Sequence, residues 1–224
     1  MRRLFVIFTL ALGACTSAPK ETQYTQAPGL CGEKFSQSTG MQLSMAQQAF
    51  ANQNYYSALA MLQKIEGTYV TKTALEAKAL LKTNQWDEAN KKYTSLLNSC
   101  MKGQAAHGLG LLTAYQKKYK ESGHWLRFAV DMEPANSDIR NDYGFYMLLI
   151  DEVDVAKKEF LTALELNPNN QKAAKNLWLA LARGQDLKAA ESLTRRYGWD
   201  QVESQKLANA LNTFNPIKNL ETSK

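Results

Sequence analysis

Leu109-Gly110-Leu111-Leu112-Thr113-Ala114-Tyr115 and Tyr143-Gly144-Phe145-Tyr146-Met147-Leu148-Leu149 stand 34 residues apart. Each is followed at the same interval by a small residue, Ser122 or Ala156, and then by a proline, Pro134 or Pro168. A third copy keeps the offset, with Trp178 in the glycine column and Ala190 in the small-residue column. Upstream, Ala46 and Ala77 take the first column and Ala58 and Ala89 the second, at spacings shorter by one to three residues. A fixed period of this length marks an architecture of stacked units, each too small to bury its own apolar face. From Gly40 onward apolar residues recur every three or four positions, with no alternation long enough for a strand. The pattern therefore predicts an all-α fold.

The columns have a packing reason. Two antiparallel helices come close only where a side chain is missing, so Gly or Ala sits at the crossing and large apolar residues fill the space beside it. Tyr55, Trp86 and Tyr119 form an aromatic column, and Tyr93 and Phe160 a second. Asn52, Asn54, Asn84 and Gly184 fall between the two helices of their units, where a residue tolerant of positive φ is expected. Pro134 and Pro168 stop the second helix, and Asn136 or Ser137, and Asn170, are placed to cap the next. Gly123, inside a predicted helix, costs about 1 kcal/mol against Ala, and the sequence offers no reason for it. These columns resemble the tetratricopeptide repeat. The resemblance implies a right-handed superhelix of helix-turn-helix units, here five, at 39–72, 70–103, 103–136, 137–170 and 171–200, with a closing helix at about 201–213.

Outside the repeats the N-terminus carries the strongest signal. Met1-Arg2-Arg3 precedes an apolar run from Leu4 to Leu12 broken only by Thr9, and Gly13-Ala14-Cys15 follows, which is the layout of an export signal. The run is about half the length that spans a bilayer as a helix. Leu12-Gly13-Ala14-Cys15 resembles the lipobox of bacterial lipoproteins. That resemblance implies cleavage before Cys15 and a diacylglycerol on its thiol, and Thr16 in place of Asp implies the outer membrane. The alternative is an ordinary secretory signal that precedes a cysteine. The expected organisation is a signal peptide at 1–14, a flexible Gln/Thr/Ser/Pro-rich leader at 15–39, the solenoid at 40–213 and a tail at 214–224.

Without Arg2 and Arg3 the chain has 25 basic against 21 acidic side chains and a net charge of +4, down from +6. No Lys/Arg block tracks a phosphate backbone, so nucleic acid is not an expected partner. Cys31 and Cys100 are left once Cys15 is set aside. A leftover pair in an exported chain suggests a disulfide, and two unpaired buried cysteines are the alternative. Neither His107 nor His124 stands at metal-ligand spacing from another His or Cys. No nucleophile elbow, phosphate loop or dinucleotide fingerprint is present. The sequence thus predicts no catalytic residue, no metal and no cofactor, and not an enzyme.

In such repeats the first helix of each pair lines the concave face. That frame places Phe50, Lys78, His107, Leu111, Tyr115, Asn141, Phe145 and Lys175 in a protein-binding groove, together with Gln47, Leu81, Leu148 and Leu179, of which Leu148 and Leu179 read equally well as core. Apolar anchors with interspersed polar groups suit a peptide or helix laid along the face.

Asn141-Asp142-Tyr143-Gly144-Phe145, then Ala156, Phe160-Leu161-Thr162-Ala163 and Asn167-Pro168, and later Asn176 to Leu181 through Ala189-Ala190, resemble the TadD-like tetratricopeptide lipoproteins of Tad (Flp) tight-adherence pilus assembly. The likeness is good from about Gly103 to Tyr197 and loose before it. It implies a periplasm-facing outer-membrane accessory, a scaffold or pilotin whose partner is a secretin or another pilus-assembly component. Alternatives are a type IV pilus pilotin and an envelope adaptor that recruits cell-wall hydrolases.

Overall fold

The computed structural model describes residues 29–217. The predicted signal, Cys15, the leader as far as 28 and the tail from 218 lie outside the described residues. Among those described, the chain is helix and loop with no strand. Five helical hairpins follow one another: α1 (Gln37–Ala51) with α2 (Tyr55–Gln63), α3 (Val70–Lys82) with α4 (Trp86–Leu96), α5 (Lys102–Tyr115) with α6 (Tyr119–Met132), α7 (Ser137–Leu149) with α8 (Val153–Leu166), and α9 (Gln171–Arg183) with α10 (Leu187–Tyr197). A closing helix, α11 (Gln201–Thr213), packs on α9.

The small-residue columns are the crossings within each hairpin. Ala46, Ala58, Ala77, Ala89 and Ala156 are completely buried. In the third repeat the Ser122 hydroxyl donates to the Gly110 carbonyl at 2.8 Å, so the serine adds a hydrogen bond at the contact. A Cβ on Gly110 would lie 2.7 Å from Leu126 Cγ and 3.2 Å from the Leu126 backbone nitrogen, an approach only glycine permits. Gly123 receives its explanation from the next repeat: a Cβ there would lie 2.2 Å from the Tyr146 ring. Gly108 stands in the same relation to Tyr93 of the preceding repeat. Helix propensity is given up at both places so that a tyrosine from a neighbouring unit can come close to the backbone.

Each first helix ends the same way. Its last carbonyls accept backbone bonds from the turn, as in Lys118 N–H to Thr113 O and Glu152 N–H to Met147 O, both 2.9 Å. The residue just before each of those donors is left-handed: Gln53, Asn84, Lys117, Asp151 and Gln185, with φ between 59° and 69°. Asn84 is where the sequence placed it. Elsewhere the positive φ falls on a neighbour, and Gly184 has φ −76°. The position is fixed by counting from the helix end rather than by glycine preference, and the non-glycine residues accept a cost on the order of 1 kcal/mol each. Asn136 and Asn170 cap α7 and α9 by accepting from Ile139 N–H and Ala173 N–H.

The expected flexible leader reaches 39, but α1 begins at Gln37 and residues 29–36 are bound to the second repeat. Cys31 is joined to Cys100 by a disulfide, with Cα atoms 5.6 Å apart. Glu33 accepts the backbone N–H groups of Val70 and Thr71 and the Thr71 hydroxyl, while Leu30 N–H donates to Thr71 Oγ1 at 2.9 Å. Tyr69 precedes α3 without a capping side chain, so Glu33 caps that helix from 37 residues away and places its negative charge at the positive helix end. No described helix is long and apolar enough to cross a membrane.

Candidate functional site

The first helices of successive repeats touch one another, α1 with α3, α3 with α5 and α7 with α9, and so line the inner face of the solenoid. Along them side chains three and four apart share a face. Phe50, Lys78, Leu81, His107 and Leu111 line one cavity of about 360 Å³ between α1, α3 and α5. A second cavity of about 390 Å³ continues it toward the N-terminus and shares Phe50, Lys78 and Gln104. Five predicted groove residues, Phe50, Lys78, Leu81, His107 and Leu111, therefore meet in one place. Tyr115 stands one turn beyond Leu111 and is 52% exposed.

With Lys82, Lys78 is one of two lysines that line this cavity. Its ammonium reaches only Gln104 Oε1, at 3.4 Å, and forms no ion pair among the described residues. Desolvation lowers its pKa below the ordinary lysine value, and the Glu133 carboxylate pulls it partly back. Tyr93, on the cavity floor, has its phenol pushed up by burial and by the nearby Tyr115.

The far half of the face departs from the expected groove. Asn141 is completely buried, which removes it from any binding surface. Its carboxamide accepts from Asn176 Nδ2 and donates to Asp142 Oδ1, both at 2.9 Å, so it joins two repeats internally. One position along a helix turns a side chain by about 100°, and Asp142 takes the inward-facing place instead. Leu148 and Leu179 are buried core, and in the near half Leu81 is also buried apart from the little it shows to the cavity. Lys175 is held by Glu203 of the closing helix, and hydrogen bonds from Lys175 and Lys206 lower the Glu203 pKa. Phe145 is 38% exposed, and the chain's own Phe214 leans on it.

His107, Asp142 and Lys172 form a polar ladder over three repeats, with His107 Nε2 2.8 Å and Lys172 Nζ 2.5 Å from the carboxylate. Burial opposes ionisation of Asp142, yet the His107 hydrogen bond and the Lys172 charge outweigh it and hold the pKa at about 2. The carboxylate is thus favoured by the fold. Its contribution is present above the ordinary value of 3.8 and is lost as pH falls through about 2. Asp142→Asn is expected to lower stability at pH 7 by about 2 kcal/mol. The gap from the parent chain should close between pH 4 and pH 2 in urea titrations, and a gap that does not change with pH would refute the electrostatic role.

The sequence reading missed Gln104 and Asp138, which also line the cavity. Both are legible in the sequence, because Gln104, Asp138 and Lys172 recur at the same offset of 34 one turn before His107, Asn141 and Lys175. Among the described residues no group of three or more His, Cys, Asp or Glu is placed to hold a metal ion.

No family model matches the chain. Over 190 residues it is 30% identical to TPR repeat-containing protein PA4299 of Pseudomonas aeruginosa, an alignment that covers 84% of this chain and 75% of that protein. Among solved structures, PilF of Pseudomonas aeruginosa is similar at a TM-score of 0.61 and 16% identity, over 79% of this chain and 88% of PilF. MamA from residue 41 onward, of Desulfovibrio magneticus RS-1, is similar at a TM-score of 0.53 and 16% identity, over 80% of this chain and all of that structure. At these identities the two structures establish a shared fold.

Proposed function

Since the chain belongs to the tetratricopeptide-repeat proteins, a class of protein-interaction scaffolds, we propose that its groove holds a segment of a protein partner in the bacterial envelope. In this reading the chain is an outer-membrane lipoprotein anchored through Cys15 and facing the periplasm. It acts as a scaffold or pilotin in Tad (Flp) pilus assembly, and its partner is a secretin or another assembly component. The observation that carries the groove reading is the open cavity at α1, α3 and α5. There Phe50 and Leu111 offer apolar surface beside Lys78, an exposed cation that forms no ion pair among the described residues. Such a site leaves a charge and an apolar wall for a segment from outside to satisfy. The pilus assignment draws its support from the Asn141-to-Pro168 motif and the lipobox.

The test is capture from detergent-solubilised envelope. Leu111→Glu combined with Tyr115→Ala is expected to reduce recovery of a pilus secretin or assembly protein at least tenfold, with helical circular dichroism and melting temperature unchanged. Equal recovery by the variant would remove the groove from the interaction. Recovery of a cell-wall hydrolase in place of pilus components would replace the pilus assignment by an adaptor role. Cys15→Ser is expected to move the protein from the membrane to the soluble periplasmic fraction. Unchanged fractionation and lipid labelling would refute the anchor.

A further inference from the structure

The inner face does not stay open along its whole length, because the chain's own C-terminal segment crosses its far end. After α11 the backbone becomes extended at Phe214, with φ −72° and ψ 116°. The Phe214 ring stands edge-on to Phe145 at 6.3 Å. The Arg183 guanidinium lies over that ring at 5.6 Å and is itself fixed by an ion pair to Asp151. Three residues on, Ile217 N–H donates to the Leu149 carbonyl at 2.8 Å. Leu149 is the last residue of α7, so this carbonyl is one that a helix leaves without a partner. Pro216 lacks an N–H and keeps the segment from turning back into a helix.

Phe145 and Leu149 on α7 and Arg183 on α9 occupy the same places in their repeats as Leu111 and Tyr115 do in the third. The segment therefore lies on the continuation of the open cavity. Beyond its own helix end the segment is held at two points: the Phe214 ring packs on the Leu148, Phe160 and Leu179 cluster and meets Phe145 and Arg183, and one backbone hydrogen bond holds Ile217, while Asn215 is exposed. Contacts this sparse belong to the part of a structure that opens locally. A tethered segment nevertheless fills such a site, because the tether holds it at an effective concentration in the millimolar range.

We propose that residues 214–217 are a built-in occupant of the inner face, and that they display the chemistry of the partner segment that displaces them. That segment is an extended, proline-containing stretch. Its aromatic residue seats between Phe145 and Arg183, and three residues later a backbone N–H reaches the end of α7. This rests on the groove reading and specifies its ligand. Displacement lengthens the usable face from the α1–α3–α5 cavity to the end of α9, so a partner with this element gains the second half of the groove.

A fluorescein-labelled peptide of residues 212–218, Asn-Thr-Phe-Asn-Pro-Ile-Lys, added to the full chain tests the proposal. Phe214→Ala removes the tethered anchor and is expected to bind the peptide at least tenfold more tightly than the parent chain. Adding Phe145→Ala should cancel that gain. Melting temperatures of all three proteins are compared to show that the fold is kept. In the parent chain the Ile217 amide should be protected from hydrogen exchange, and in Phe214→Ala it should not. Peptide binding no tighter in Phe214→Ala than in the parent chain, or a gain that survives Phe145→Ala, overturns the proposal. Because the peptide assay needs no cellular partner, its failure with capture intact condemns the built-in occupant alone. Loss of capture specificity with a positive peptide assay condemns the envelope-partner reading alone.

Discussion

Removing the Cys31–Cys100 bond, by reductant or by Cys31→Ser with Cys100→Ser, is expected to lower the stability of the chain by about 4 kcal/mol. The bond closes a loop of 69 residues, and the chain-entropy model gives a value of that order for such a loop. The loss should be local in its structural effect. Glu33 still has the first backbone groups of α3 to cap, but without the covalent tie the entropy of residues 29–36 works against that contact. Hydrogen exchange should therefore rise first in α3 and in the leader, while α7 to α11 keep their protection. A urea midpoint unchanged by reductant would show that the denatured chain is constrained by other means.

Phe160→Ala is expected to lower stability by roughly 4 kcal/mol, the usual cost of emptying a fully buried phenylalanine site. Phe160 is completely buried. It fills the space beside Gly144, whose missing side chain lets the ring approach, since a Cβ there would lie 2.9 Å from Phe160 Cε1. It also packs in one cluster with Leu148, Leu177 and Ala180, so the fourth and fifth repeats share it. The damage should spread toward the C-terminus, exposing α9 and α10 to exchange while α1 to α4 hold. Nearest-neighbour coupling confines the damage to the repeats that share Phe160 and the chain end that stacks on them. A single uniform loss of protection along the whole chain would argue instead for one indivisible core.

The repeat columns were legible because the residues that decide them are local and periodic. Ala58, Ala89, Ser122, Ala156 and Ala190 each follow the first-column residue of the same hairpin by twelve positions, so each crossing is stated locally. What stayed hidden depends on contacts between units. Gly123 looks like a flaw until Tyr146 is laid over it, and nothing in the flanking residues announces which ring will arrive. Glu33 caps a helix that begins 37 residues later, a relation with no local signature. Of the residues expected on the inner face, Phe50, Lys78, His107 and Leu111 share a cavity, whereas Asn141 turns into the core and its neighbour Asp142 faces His107 and Lys172. A single step around a helix separates a contact residue from a core residue, and hydrophobic periodicity does not resolve that step when both candidates are polar.

The disulfide has a mechanical consequence. Tension that arrives along the chain from the N-terminal side of Cys31 passes through the sulfur bridge to Cys100 at the end of the second repeat. The chain between those two positions, which includes α1 to α4, is bypassed by the load. A pull from that side cannot peel off the terminal hairpin that would otherwise be first to unzip. It must instead work against the third repeat, so the Phe50 and Lys78 walls of the cavity keep their shape under strain.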